Sequence, residues 1–140
     1  MIKSGGFMVF LILLNAVVLF AGATSLNPFG LPFIVAGGII YFYHKHLMGH
    51  VWSLKAEPKK ELVRAGLFKY IRHPLYLGAL VALLGLILST SNLLLLLVFV
   101  FFTFPVIYAR AKIEEKILMK SLPSYKEYMK KTGMFTIRLK

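Results

Sequence analysis

RHPLYLGALVALLGLILSTSNLLLLLVFVFFTFPVIYARAKIEE, residues 72–115, sets the architecture of this chain. Two apolar runs, Leu75 to Ser89 and Leu93 to Ala109, are separated by Thr90-Ser91-Asn92 and carry no charge. The stretch therefore reads as a membrane hairpin with polar residues at both outer ends. Arg72 and His73 stand before the first run, and Arg110, Glu114 and Glu115 follow the second. The whole chain has only five acidic residues, and two of them sit side by side here. Carboxylates at a bilayer boundary are costly unless a cation or a hydrogen-bond donor meets them, so this pair is a functional-site candidate.

Two more apolar runs lie upstream, Phe7 to Ala23 and Phe29 to Tyr43. With 59% hydrophobic residues and a mean hydropathy of +0.76, the chain reads as an integral membrane protein. The expected fold is all-α: about four transmembrane helices, at about 7–23, 29–43, 75–89 and 93–109, with a short cytoplasmic C-terminal helix. At about 1.5 Å per residue such runs cover roughly 23 to 26 Å, so flanking polar and aromatic residues must complete each crossing. No linker is long enough to divide the 140 residues, which form one domain. Gly37, Gly38, Gly78 and Gly85 permit close helix approach, and glycine-bearing spans are compatible with pairing of copies in the membrane.

Charge sets the orientation. All 17 Lys and Arg flank one side of the four-span arrangement: Lys3, the Lys45 to Arg72 group, and the group from Arg110 to Lys140. By the positive-inside rule both termini and the long middle segment are cytoplasmic, and the expected location is a prokaryotic inner membrane. The net charge of +12 is then an orientation signal and a contact for anionic headgroups, not a nucleic-acid footprint. Met1-Ile2-Lys3 and Ala21-Gly22-Ala23 imitate a secretory signal, but the segment is read as a retained first span. Cysteine is absent, so thiolate chemistry does not enter.

Two polar segments remain. Ser53 to His73, punctuated by Pro58, Gly66 and Pro74, reads as an irregular loop entering the third helix at Pro74. Arg72 and His73 then stand at a helix entrance, where backbone N–H groups favour an anion. The fourth helix is expected to continue through about Met119 and to break near Ser121-Leu122-Pro123. It resumes over Ser124 to Lys131 and stops at Gly133. Arg110 and Glu114 fall one turn apart on one face, able to act on one ligand or on each other.

Gly66-Leu67-Phe68-Lys69-Tyr70-Ile71-Arg72-His73-Pro74-Leu75-Tyr76-Leu77-Gly78, Arg110-Ala111-Lys112-Ile113-Glu114-Glu115 with Leu118, and Tyr125-Lys126-Glu127-Tyr128 together resemble the isoprenylcysteine carboxyl methyltransferase family. The wider group includes membrane phospholipid N-methyltransferases, and the resemblance covers about residues 58–131. It implies S-adenosylmethionine as cofactor and S-adenosylhomocysteine as product. It further implies cofactor contacts from Glu61, Leu62, Val63, Phe68, His73, Pro74, Leu75, Tyr76 and Glu114. The family usually has Tyr where this chain has Phe68, which removes a hydroxyl there. Chemically, Glu114 and Glu115 suit the ammonium and sulfonium end, while His73 and the helix-start N–H groups suit the cofactor carboxylate. The resemblance gives Arg110 a substrate-binding role and, with Glu114, a catalytic one.

The implied acceptor is lipid-like: a carboxylate such as isoprenylcysteine, or alternatively a phospholipid amine. A carboxylate is already ionised near pH 7 and needs no base, whereas an amine would have to lose a proton, with His73 or a glutamate as bases. Membrane sterol reductases share an Arg-His-Pro-x-Tyr-x-Gly-like stretch, so an NADPH-dependent reductase and a noncatalytic membrane protein stand as readings of other classes. His44, His46 and His50 have metal-like spacing but no nearby carboxylate or cysteine, and are read as interfacial rather than as a metal site. Trp52, Tyr41 and Tyr43 read as an aromatic belt, and Phe99 to Phe104 as lipid-facing or packing surface. Tyr125 and Tyr128 either close the cofactor site or anchor the last helix.

Overall fold

A computed structural model describes residues 4–22, 27–49 and 62–138. Among these residues the structure is helical, and the one β feature is an isolated parallel bridge between Ile71 and Gly133. Helix α1 spans Ser4–Gly22. A 3₁₀ turn at Pro28–Gly30 leads into α2, Leu31–Met48. A second 3₁₀ turn, Gly66–Lys69, precedes α3, Pro74–Thr90. The last long helix runs as α4, Leu93–Val98, a π-turn at Phe99–Thr103, and α5, Phe104–Ser121. Helix α6 is Tyr125–Lys131.

Local chemistry explains these boundaries. Pro74 and Pro105 sit in first-turn positions, where a missing N–H is tolerated. Upstream of Pro105 the ladder loses a donor, and the helix widens: the Phe104 N–H bonds to the Phe99 carbonyl five residues back. Ser91 turns the chain with a left-handed φ of 49°, and the Asn92 side chain then caps α4 by accepting from the Leu95 N–H at 3.0 Å. The expected spans differ at one end, because α2 continues past Tyr43 and carries His44 and His46 on an extra turn.

Helices α2 and α3 lie antiparallel in close contact. A Cβ at Gly78 would stand 2.7 Å from the Gly37 carbonyl oxygen and the Tyr41 nitrogen, and one at Gly85 would stand 2.7 Å from the Gly30 oxygen and the Ile34 nitrogen. Only glycine admits that approach. Helix α1 runs antiparallel to α4 and α5, with Val18 packed in a cluster with Ile87, Leu95 and Val98. Between apolar helices in lipid, burial gives little net drive, so hydrogen bonds matter more. Asn15 and Thr103 bond each other across α1 and the π-turn at 3.0 and 3.3 Å, and the Asn92 amide donates to the Val18 carbonyl at 3.0 Å. Each such bond contributes about 1 kcal/mol.

The combined helix Leu93–Ser121, 29 residues long, is long and apolar enough to cross a membrane. Phe101 and Phe102 on it are 66% and 58% exposed, as suits a lipid-facing surface rather than a soluble core. The Pro74–Thr90 helix and the Ile12–Ala21 stretch are apolar but shorter. Among the described residues the long helical segments α1, α2, α3 and α4–α5 alternate in direction. One polar end gathers the start of α3, the far end of α5, and α6.

Candidate functional site

The site grows from three chain segments that meet at that polar end. Pro74, fully buried, fixes the start of α3 and thereby the positions of Arg72, His73 and Tyr76. Arg110, Glu114 and Glu115 lie on the part of α5 that extends beyond the apolar stretch. The segment after α6 closes the third side. The Arg72 N–H bonds to the Gly133 carbonyl at 2.9 Å, the His73 N–H to the Met134 carbonyl at 3.1 Å, and the Gly133 N–H to the Tyr70 carbonyl at 3.0 Å.

A continuous polar chain crosses the site. Arg110 Nε donates to the Tyr76 hydroxyl at 2.7 Å and lies 3.2 Å from Glu114 Oε1. The Tyr76 hydroxyl in turn donates to the same Glu114 oxygen at 2.6 Å. The His73 ring stacks on Tyr76 with centroids 5.5 Å apart and planes within 10°, and its Nδ1 is 3.8 Å from Glu114 Oε2. Its Nε2 lies 3.5 Å from Glu115 Oε1 but, buried, makes no hydrogen bond among the described residues. Glu115 is paired with Arg72, whose Nε donates to Oε1 at 2.6 Å. Two arginines and two carboxylates thus balance. Burial alone would raise the Glu115 carboxyl, but His73 and the Arg72 guanidinium outweigh it and hold the group below the usual carboxylate range.

The expected site residues divide accordingly. His73, Tyr76, Arg110, Glu114 and Glu115 come together, with Pro74 beneath them and half-buried Leu75 beside them. Glu115 is 2% exposed and committed to Arg72, whereas the Glu114 side chain retains 21% exposure. Phe68 is buried elsewhere: its ring meets His44 edge-on at 5.6 Å, and its carbonyl accepts from the Tyr128 hydroxyl at 2.5 Å. Leu62 and Val63 are half-buried ahead of the Gly66 turn. Glu61, with His50 and Trp52, lies outside the described residues. The N–H groups of Arg72 and His73, expected to face an anion, bond the carbonyls of Gly133 and Met134 instead.

Sequence reasoning missed two structural roles. Arg72 is a clamp as well as an ion-pair partner, because its Nη1 donates to the Thr132 carbonyl and, at 3.3 Å, to the Met129 carbonyl. His44 is a fastener: Nδ1 donates to the Ile40 carbonyl at 2.7 Å, and Nε2 accepts from the Leu67 N–H at 2.9 Å. Gly66, at φ 57°, has no room for a side chain, since a Cβ would stand 2.9 Å from His44 Nε2. Tyr125 and Tyr128, on α6, are both buried. Burial pushes the Tyr128 phenol up to about 12 and raises that of Tyr125 as well. A cleft of about 240 Å³ lined by Arg64, Lys69, Glu127, Tyr128, Lys131 and Thr132 opens by α6, and among the described residues none of the expected cofactor contacts lines it.

The sequence model of the isoprenylcysteine carboxyl methyltransferase family matches residues 30–120. A protein-S-isoprenylcysteine O-methyltransferase of Saccharomyces cerevisiae is 35% identical over 94 residues, which cover 64% of this chain. The chain spans about two-fifths of that relative, 39% of its length. No solved structure matches the chain. The matched residues hold α2, α3 and most of α5, and with them Arg72, His73, Tyr76, Arg110, Glu114 and Glu115. The chain belongs to the isoprenylcysteine carboxyl methyltransferase family.

Proposed function

We propose that this protein is a membrane methyltransferase that moves the methyl group of S-adenosylmethionine to a lipid-like acceptor, the carboxylate of an isoprenylcysteine. The observation that carries this reading is the Arg110–Tyr76–Glu114–His73 chain of contacts, built at the polar end of a membrane-crossing helix within the family match. Bound there, the cofactor would supply an electrophilic methyl on a sulfonium. The donor set suits it: Glu114, the more exposed carboxylate, meets the ammonium and sulfonium charge, and the His73 ring beside it offers a polar contact. Glu115 supports this from behind by fixing Arg72.

Arg110 would position the acceptor. An acceptor carboxylate competes with Glu114 for its guanidinium, which can hold two carboxylate oxygens in a fork and aim one at the methyl. Tyr76, bridging Arg110 and Glu114, keeps acceptor side and cofactor side in register. No proton needs to move, so the rate enhancement comes from alignment and water exclusion. The acceptor's chain arrives from the bilayer, and the cofactor from the cytoplasm.

The same reading gives the four passes a transmembrane course, with both termini and the Lys45 to Arg72 segment cytoplasmic, on the warrant of the basic residues. Reporters fused at residues 26 and 140 then report opposite sides; the same side for both overturns that course. Function is tested by titrating the purified protein in micelles with S-adenosylhomocysteine and with NADPH. Saturable binding of the first alone is expected. Binding of NADPH alone, or of neither, rejects the proposal.

A further inference from the structure

We propose that Gly133 to Phe135 form a movable strap over the site, and that Phe135 is the gate an apolar acceptor chain displaces on its way in from the bilayer. This rests on the methyltransferase reading of the site. It adds the route by which one substrate reaches it. The strap lies beyond the residues the family model matches.

Three observations converge. First, the strap is tied to the site's own framework. Its carbonyls accept from the Arg72 and His73 N–H groups, its Gly133 N–H donates to Tyr70, and the Arg72 guanidinium that neutralises Glu115 also grips the Thr132 carbonyl. Thr132, 1% exposed and bonded through its hydroxyl to the Tyr128 carbonyl at 2.7 Å, is the fixed root; beyond it, opening breaks the bonds to residues 70–73. Second, the Phe135 ring lies between the site and the bilayer flank, 6.1 Å from the His73 ring and 6.5 Å from Phe104. Phe104 is 44% exposed and continues the exposed apolar surface of Phe101 and Phe102. An apolar chain sliding along that surface meets Phe135 before it meets His73. Third, the ring helps seal His73, whose buried Nε2 has no hydrogen bond among the described residues. Its nearest polar atom is Glu115 Oε1 at 3.5 Å, so the ring covers a site whose polar contacts are long.

The occupant is an isoprenoid-like chain rather than the cofactor, because the flank that Phe135 closes is aromatic and uncharged. If the strap is closed most of the time, acceptor affinity is reduced by the open fraction. Removing the ring loses two aromatic contacts and raises that fraction about five- to tenfold.

The test uses the full chain in micelles with N-acetyl-S-farnesylcysteine as acceptor probe. Hydrogen exchange at the Arg72 and His73 amides reports the strap directly, since both bond to it. The probe is expected to speed that exchange in the wild-type protein, and S-adenosylhomocysteine to leave it unchanged. Phe135→Ala should speed it without ligand and tighten probe binding about five- to tenfold, with S-adenosylhomocysteine affinity within about twofold. Phe135→Tyr keeps the ring and should match the wild type. Unchanged or slowed exchange with the probe, weaker probe binding in Phe135→Ala, or no probe binding to either protein overturns the gate. Should Phe135→Ala fail to fold, the wild-type exchange decides alone. A protein that binds S-adenosylhomocysteine but shows no response at residues 72 and 73 loses the gate and keeps the function; the reverse pattern loses the function and keeps the gate.

Discussion

Arg72→Ala tests how the site is held together. The Arg72 and Glu115 side chains are 10% and 3% exposed and meet at 2.6 Å, while His73 Nε2, the other partner of that carboxylate, stands off at 3.5 Å. Removing Arg72 leaves a buried carboxylate with only the longer His73 contact, and losing one partner of a buried pair costs about 3–5 kcal/mol. It also frees the Met129 and Thr132 carbonyls at the end of α6. Arg72→Lys recovers only part, because an ammonium cannot serve a carboxylate and two carbonyls with the geometry of the planar fork. Arg72→Met combined with Glu115→Leu should lie within about 2 kcal/mol of the wild type, since a buried pair exchanged for apolar residues is often neutral. Denaturant unfolding in micelles near pH 7 reads all of these. A loss under about 1 kcal/mol for Arg72→Ala, or a double variant no more stable than the single one, would refute the reasoning.

Gly78→Leu should separate α2 from α3, because even a Cβ there stands 2.7 Å from two backbone atoms; thermal unfolding should fall by about 1–3 kcal/mol equivalent, and an unchanged midpoint contradicts the packing. Tyr128 ionises at about 12 in the folded protein against 10.0 for an ordinary phenol, so its stabilising contribution is complete below 10 and lost as pH rises through about 12. Tyr128→Phe should therefore flatten the alkaline limb of a stability-against-pH curve, and an identical limb denies the burial. Glu114→Gln should weaken S-adenosylhomocysteine binding by about 1–3 kcal/mol. Arg110→Ala should spare that affinity while lowering turnover about a hundredfold. Equal losses of cofactor affinity in both variants would make Arg110 a mere partner of Glu114.

The parts of this architecture that depend on near neighbours were readable in advance. Apolar runs, Pro74 at a helix start, the Thr90 to Asn92 turn and the one-turn spacing of Arg110 and Glu114 are local facts, and the helices follow them. The break at Leu122 and Pro123 and the restart at Tyr125 were legible for the same reason. What escaped was long-range pairing. The contact of residues 70–73 with 133–134 joins positions 60 apart and has no periodic signature, so Arg72 read as an anion receptor and not as a clamp. The neighbours of Phe68 escaped as well: the fold turns its ring to His44 and its carbonyl to Tyr128. His44 illustrates the same limit, because its acceptor role needs Leu67, 23 residues on. The π-turn had a visible cause in Pro105, and Asn15 and Thr103 were visible polar residues in apolar runs; their partnership was not.

The account's central claim is that a carboxylate acceptor is methylated at the Arg110–Tyr76–Glu114 site. The most direct measurement incubates the purified protein in micelles with S-adenosylmethionine labelled in the methyl group, together with N-acetyl-S-farnesylcysteine or phosphatidylethanolamine, and then treats the products with base. The account predicts label in the farnesylated product that base releases as methanol, as a methyl ester requires, and its loss in Arg110→Ala. Label that stays on phosphatidylethanolamine through base treatment, or ester formation undiminished in Arg110→Ala, would contradict it.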